Sequence, residues 1–394
     1  MKKITALLLA LVMVFALCAC GGNGDNGDNE NKDAESVKVG LICLHDENSG
    51  YDKNFIDAFN AACDALGVEK VMKTNVPEDQ SAYDAAAEMA DAGCDLIITD
   101  SYGHQPYTLQ AAKEFTDVQF VSCTGDTALT ENLSNFHNAF ATIFEGRFIA
   151  GVAAGLKLNE MIDNGTITAE QAKMGYVGAM PYAEVKSGYT SFYLGAKSVC
   201  PTVTMDVIFT GSWYDETLEM EGAKSLIKDG CVLISQHADS MGAPNACQTA
   251  GVPNVSYNGS TQEACPDSYI ISSRINWQPF FEYAIKAVQA GEAFDTDWCG
   301  TLETGSVQLT ELNEKVAAAG TADKLAAVEA GLKDGSIKVF DTATWTVNGK
   351  TLTSYTDSFG MNGAECIENG VFTESSLRSA PYFDITIDGI TVKE

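Results

Sequence analysis

Rings, amides and carboxylates recur in this chain just after short apolar runs: Tyr51, Asp52, Asn54 and Phe55; Thr124 with Gly125; Gly211-Ser212-Trp213-Tyr214; His237 and Asp239; Asn258; and Asn276-Trp277. Flat rings that sandwich a ligand, with amides and carboxylates around its rim, are the equipment of a non-covalent small-molecule site. Covalent chemistry has little support. The sequence holds no G-x-x-x-x-G-K-[ST], no G-x-S-x-G and no H-E-x-x-H. Ser225-Leu226-Ile227-Lys228 matches S-x-x-K but lacks the companion motifs and reads as a solvated helix face. His45-Asp46-Glu47-Asn48 contains metal-type ligands, yet adjacent residues rarely converge on one ion; the segment reads as the loop closing the first strand, with Asp46 among the ligand-binding candidates. No catalytic residue, metal or cofactor is expected.

Taken singly, these residues have plainer alternatives. Phe55 also suits the first core position of its helix, Trp213 a packing aromatic, and His237 a capped loop histidine. Their common position at strand ends favours a cleft, because open α/β sheets bind ligands at the carboxyl ends of their strands.

The elements that must position them alternate strand and helix. A strand over 37–44 precedes a helix whose Phe55, Phe59, Ala62, Cys63 and Leu66 share one face. Helices near 81–92 and 105–115 flank a strand at 94–100, and 118–123 is a further strand. The pattern restarts with strands at 174–179, 203–209, 231–235 and 253–258, separated by helices near 184–198, 216–229 and 242–250. This spacing predicts α/β architecture: two doubly wound parallel-sheet lobes joined by a multi-crossing hinge, with crossings near 125–138, 254–260 and 298–306. Residues 37–126 plus 258–298 are expected in lobe 1, including a strand at 269–273 and the helix after Trp277. Residues 138–254 plus 304–394 are expected in lobe 2, ending in hairpins at Asn348-Gly349 and Asp388-Gly389.

The 394 residues carry 24 Lys and Arg against 54 Asp and Glu, a formal charge of −30 that makes nucleic acid an unsuitable partner. Met1 to Cys20 has the form of a signal peptide, with Lys2 and Lys3, an apolar stretch from Ala6 to Leu17, and Leu17-Cys18-Ala19-Cys20 as a lipobox. Residues 1–19 would be removed, Cys20 lipidated, and 20–36 left as a flexible tether. Most of the 12 cysteines sit inside apolar runs and read as core thiols rather than disulfide partners.

At these residues the chain resembles the basic membrane protein family of substrate-binding lipoproteins for ABC importers, which includes purine nucleoside receptors. The resemblance rests on YDKNF (Tyr51 to Phe55), AGCDLIIT (Ala92 to Thr99), FIAGVAAG (Phe148 to Gly155), MGYVG (Met174 to Gly178), GAKSVCP (Gly195 to Pro201), Gly211-Ser212-Trp213 and SSRINW (Ser272 to Trp277). It implies a type I periplasmic-binding-protein-like fold and an anchored protein on the outer face of the cytoplasmic membrane, delivering a nucleoside-like ligand to an ABC permease. It also implies that Asp52 and Phe55 line the ligand, Phe55 by stacking, with Trp213 on the facing lobe. Where the nucleoside receptors carry aspartates, this chain has Cys123-Thr124-Gly125 and Asn258, which are weaker acceptors for ribose hydroxyls. Two further readings of the same residues are a ligand-sensing surface lipoprotein and a surface hydrolase of nucleosides or sugars using Asp46, Asp52 or His237 as acid/base groups.

Overall fold

A computed structural model describes residues 37–356 and 363–393, so the expected signal peptide, the Cys20 expected to carry lipid and the expected tether lie outside the described residues. The first lobe is built from β1 (Lys38–Ile42), α1 (Gly50–Leu66), β2 (Glu69–Lys73), α2 (Gln80–Asp91), β3 (Leu96–Thr99), α3 (Gln105–Glu114), β4 (Gln119–Cys123), α4 (Ala128–Glu131) and β5 (Phe136–Ala141). The chain then enters the second lobe through α5 (Ile143–Asp163), β6 (Lys173–Gly178), α6 (Ala183–Val199), β7 (Thr204–Phe209), α7 (Glu216–Lys228), β8 (Leu233–His237), α8 (Gly242–Ala250), β9 (Asn254–Tyr257) and β10 (Tyr269–Ile275). It returns for α9 (Gln278–Ala290) and β11 (Asp297–Gly300), then finishes with β12 (Val307–Leu309), α10 (Thr321–Lys333), the short pair β13 (Ile367–Glu368) and β14 (Val371–Phe372), and β15 (Ile390–Val392).

The first sheet runs β11-β5-β4-β3-β1-β2 and is wholly parallel. The second runs β12-β10-β9-β8-β6-β7-β15, with β12 antiparallel at its edge. In both, the order reverses beside the first strand of the lobe, so the loops after β1, β3 and β4 and after β6, β8 and β9 open at switch points where ligands bind.

Three sequence expectations change. β10 pairs with β9 and β12 in the second sheet, although 258–298 is expected in the first lobe; of that range, α9 and the start of β11 return there. A strand buried along nearly its whole length fits the interior of either sheet, so its own residues do not reveal its partner. Residues 136–141, which straddle the end of the crossing expected at 125–138 and the start of the lobe 2 range expected from 138, form β5 of the first sheet. His137 and Asn138 look like loop residues in sequence, but His137 is bonded to the Asp295 carbonyl and Gln119, and Asn138 to Ala128 N and the Ser122 carbonyl. The Asp388-Gly389 turn leads into β15, which extends the second sheet parallel to β7 instead of forming a hairpin, while Asn348-Gly349 closes a single bridge between Val347 and Lys350.

The crossings therefore lie at Thr142, at Asn276 and at 301–306. They are bonded to one another: Thr142 N donates to the Gly300 carbonyl at 2.8 Å and Asn276 N to the Ser306 carbonyl at 2.7 Å. Among the described residues, the nine cysteines from Cys43 to Cys299 are free thiols, and eight of them are buried.

Candidate functional site

Between the lobes lies about 380 Å³ of space, part of it open to solvent. Its first wall comes from strand ends of lobe 1: Leu44 and His45 after β1, Tyr51 in the first turn of α1, Ser101 and Tyr102 after β3, and Thr124 after β4. Its second comes from lobe 2: Glu184 in the first turn of α6, Trp213 after β7, His237 ending β8, Asp239 beyond it, and Tyr257 ending β9.

The lobe 1 wall is held from below. Asp52 is fully buried and accepts from His45 N at 2.7 Å and Ser49 Oγ at 2.6 Å, with His45 Nδ1 at 3.3 Å, so it fixes the loop carrying His45. Burial alone would raise its pKa, but hydrogen bonds from His45, Asp100 and Ser49 outweigh this and hold the carboxyl below its usual range. Asp100 goes the other way, pushed well up by burial and then by the charge of Asp52. Together with Cys43 these two form the one group of metal-type ligands found among the described residues, and all three are buried. The two carboxyls shift in opposite directions because a buried acid beside an ionised one gives up its proton less readily.

Tyr51 donates its hydroxyl to the Asp100 carbonyl at 2.6 Å. Thr124 sits at φ 61°, in the left-handed region, where a β-branched residue is strained by about 1–3 kcal/mol. Strain of this kind persists when the surroundings over-determine it, and here Thr124 N is tied to the Ala139 carbonyl.

On the facing wall, His237 Nε2 lies 3.3 Å from Glu184 Oε1, and its ring lies 4.8 Å from that of Tyr257. Arg147 of α5 packs its guanidinium on the other part of this group, 3.2 Å from the Tyr257 ring centroid, and donates to the Gln236 carbonyl. Burial, then the Arg147 charge, hold the imidazole of His237 below its ordinary pKa despite Glu184, so the ring is neutral near pH 7. Asp239 is pushed well up, first by burial and then by Asp52 and Glu219, and accepts from Asn258 Nδ2 at 3.1 Å. Neutral rings and a carboxyl that readily holds its proton give the cavity both donors and acceptors.

Of the residues singled out in sequence, Tyr51, Thr124, Trp213, His237 and Asp239 meet around this space. Asp46 is on the exposed loop, accepting from Asn48 N and Nδ2. Phe55 and Trp277 are core residues: they are 0% and 1% exposed and stack on each other with centroids 4.3 Å apart. Asn276 belongs to the hinge, donating to the Gly305 carbonyl. Asn258 joins the lobes at φ 66°, receiving Asn54 Nδ2 on its carbonyl at 3.2 Å. Ser101, Tyr102, Glu184 and Tyr257 were not singled out. The first three follow or open elements right after predicted strand ends, so the same positional rule reaches them; Tyr257 is the last residue of a strand and reads as core.

The family model described as Bmp, ABC transporter substrate-binding protein PnrA-like, matches residues 44–338. A purine-binding protein of Brucella abortus is 31% identical over 337 residues, covering 83% of this chain and 91% of that one. A putative ABC transporter glucose-binding protein of Haloferax volcanii is 29% identical over 253 residues, covering 64% of this chain and 61% of its own length. Among solved structures, a solute-binding protein of an ABC transporter system from Aeropyrum pernix K1 aligns with a TM-score of 0.65 at 18% identity, over 77% of this chain and 92% of that chain. At such identity the likeness shows the fold, two α/β lobes of the type I periplasmic-binding-protein-like kind. The chain belongs to the Bmp family of PnrA-like ABC transporter substrate-binding proteins.

Proposed function

We propose that this protein is anchored through a lipid on Cys20 at the outer face of the cytoplasmic membrane, closes its lobes around a purine nucleoside and delivers it to the permease of an ABC importer. As a substrate-binding protein it releases its ligand unchanged. The observation that carries the nucleoside reading is the meeting of rings from both lobes, Tyr51 on one side and Trp213 and Tyr257 on the other, with the polar edges of Glu184, His237 and Asp239. A flat heterocycle bearing N–H donors and ring-nitrogen acceptors suits that lining. The purine-binding relative in Brucella supports the same ligand class. Closure is a hinge motion about the three bonded crossings, favoured to the extent that ligand binds the closed state better.

Mass spectrometry of small molecules released from purified protein, followed by calorimetric titration with adenosine, guanosine, inosine and glucose, tests this. Binding of a nucleoside is the expected result; binding of glucose with none of the nucleosides removes the purine reading. Fatty-acid labelling of the Cys20→Ser protein, expected to be absent, tests the anchor.

A further inference from the structure

The family match ends at residue 338, and the chain beyond it packs onto lobe 2. Phe340, Phe372 and Trp345 gather around Phe383 with centroids 4.6, 4.8 and 5.8 Å away, and β15 seats the end of the chain on the second sheet beside β7. Between these anchors runs a strap, residues 374–384. Its root is on lobe 2 as well: Ser187 Oγ of α6 donates to Glu374 at 2.5 Å, and Lys186 pairs with Asp384. The loop is also braced from within. The hydroxyl of the buried Tyr382 accepts from Ser376 N and Leu377 N at 3.2 Å each, and Arg378 Nε donates to the Ala380 carbonyl at 3.2 Å.

The tip of this braced loop bears on the other lobe. Ser379 N and Oγ donate to the two oxygens of Asp297, at 2.7 and 2.5 Å, and Arg378 Nη1 lies 3.7 Å from Asp126 Oδ2. Asp297 opens β11, which pairs with β5 in the first sheet. Asp126 follows β4, two residues past Thr124 of the cavity wall, and its other oxygen takes Gln105 Nε2 at 3.0 Å. Neither contact belongs to the hinge. The chain leaves β11 for its crossing only after Gly300, so Asp297 stands roughly 10 Å along the strand from that point. A rotation about the crossings that shifts Asp297 by more than about 1 Å takes it out of hydrogen-bonding range of Ser379. The crossings permit opening; the tip opposes it.

We propose that the strap is a clasp, a fourth link between the lobes that is rooted in lobe 2, grips lobe 1 at Asp297 and Asp126, and must let go for the cleft to open. It favours the closed arrangement before any ligand contributes, and so tightens binding of whatever the closed cleft holds and slows its release. The clasp depends on no particular ligand, and its gripping residues lie beyond the part of the chain that the family match covers.

Small-angle scattering of the mature protein without ligand tests it, through the ratio of closed to open molecules in the wild type, Asp297→Ala, Ser379→Ala and the two substitutions together. Asp297→Ala removes both hydrogen bonds and should lower that ratio at least about tenfold; Ser379→Ala removes one and should lower it several-fold. Because the two residues share one contact, the double variant should match Asp297→Ala instead of adding to it. Ser376→Ala is the control, since Ser376 is exposed in the same strap and bonds only within it. It should keep the wild-type radius, and melting curves check that each variant folds. Were Asp297→Ala to unfold, Ser379→Ala set against Ser376→Ala still decides. The same radius in wild type and Ser379→Ala, additive effects in the double variant, or equal expansion by Ser376→Ala overturns the clasp.

Discussion

The side chain of Asn54, in the first turns of α1, donates across the lobes to the main-chain carbonyl of Asn258 at 3.2 Å. Asn258 in turn donates to Asp239, a residue of the cavity wall. Closure is thus bonded to one wall of the site, and Asn258 is held at φ 66° where it makes both contacts. Asn54→Ala should remove the interlobe bond and leave a buried carbonyl without it, worth about 1 kcal/mol of the closed state, so affinity should fall several-fold with little change in either lobe. Small-angle scattering without ligand should show a larger radius for the variant. An unchanged radius and affinity would mean that this bond does not bias closure.

Phe55 and Trp213 were expected to sandwich a ligand between them, and the structure separates their roles. Phe55 is packed between Tyr51 and Trp277 with no exposed surface, while Trp213 is partly exposed on the cavity. Phe55→Ala should therefore cost about 3–5 kcal/mol of stability, the range for a buried phenylalanine. Trp213→Ala should leave the ligand-free melting temperature nearly unchanged and weaken nucleoside binding roughly tenfold or more, from lost stacking and lost buried area. The reverse pattern, with Trp213→Ala unstable and Phe55→Ala stable but non-binding, would restore the sandwich.

The contrast between these two rings shows how far the sequence was legible. Position after a strand end located Tyr51, Thr124, Trp213, His237 and Asp239, because chain direction in a parallel sheet dictates where such residues emerge. It could not separate an aromatic facing the cleft from two, Phe55 and Trp277, that leave the strand ends and stack on each other. The lobes themselves were legible from alternating strand and helix patterns. The crossings were not: β10 is apolar enough for either sheet, and β5 hides behind His137 and Asn138, whose hydrogen bonds are made by distant residues.

FIAGVAAG and GAKSVCP, which carry part of the family resemblance, meet in the structure as the crossing of α5 and α6. A Cβ on Gly151 would stand 2.0 Å from the Phe192 carbonyl oxygen, and one on Gly195 2.0 Å from that of Phe148. Main chain cannot yield as a side-chain tip can, so Gly151→Ala should force the helices apart and cost about 3 kcal/mol. Gly222 of α7 is the counter-case, since its Cβ would meet Val177 at an ordinary 3.7 Å. Gly222→Ala should be neutral or stabilise by about 0.5–1 kcal/mol through helix propensity. Denaturant unfolding of both variants measures the difference; equal effects would mean the α5–α6 crossing is not the tight contact described.

Buried acids also set how stability depends on pH. Glu219, under the Asp239 loop, and Glu374, in the strap, are each pushed up to about 7 by burial, despite hydrogen bonds that pull the other way. A carboxyl whose folded pKa is raised binds a proton that the unfolded chain has already lost. Its stabilising effect is complete below the ordinary carboxylate range and is lost as pH rises through about 7. The buried histidines act oppositely: His104, His137 and His237 are all held low by burial, which penalises the fold only below about pH 6.5, where they would charge in the unfolded chain. Above that point the acids dominate. Between pH 6.5 and 8.5 the ligand-free melting temperature should fall, each of the two glutamates contributing on the order of 1 kcal/mol. Glu219→Gln, which keeps an oxygen for Ser240 N, should flatten that slope. A melting temperature that rises over this range, or a slope unchanged by the substitution, would show that these carboxyls are already ionised in the folded protein and that charge repulsion near Asp239 is relieved by other groups.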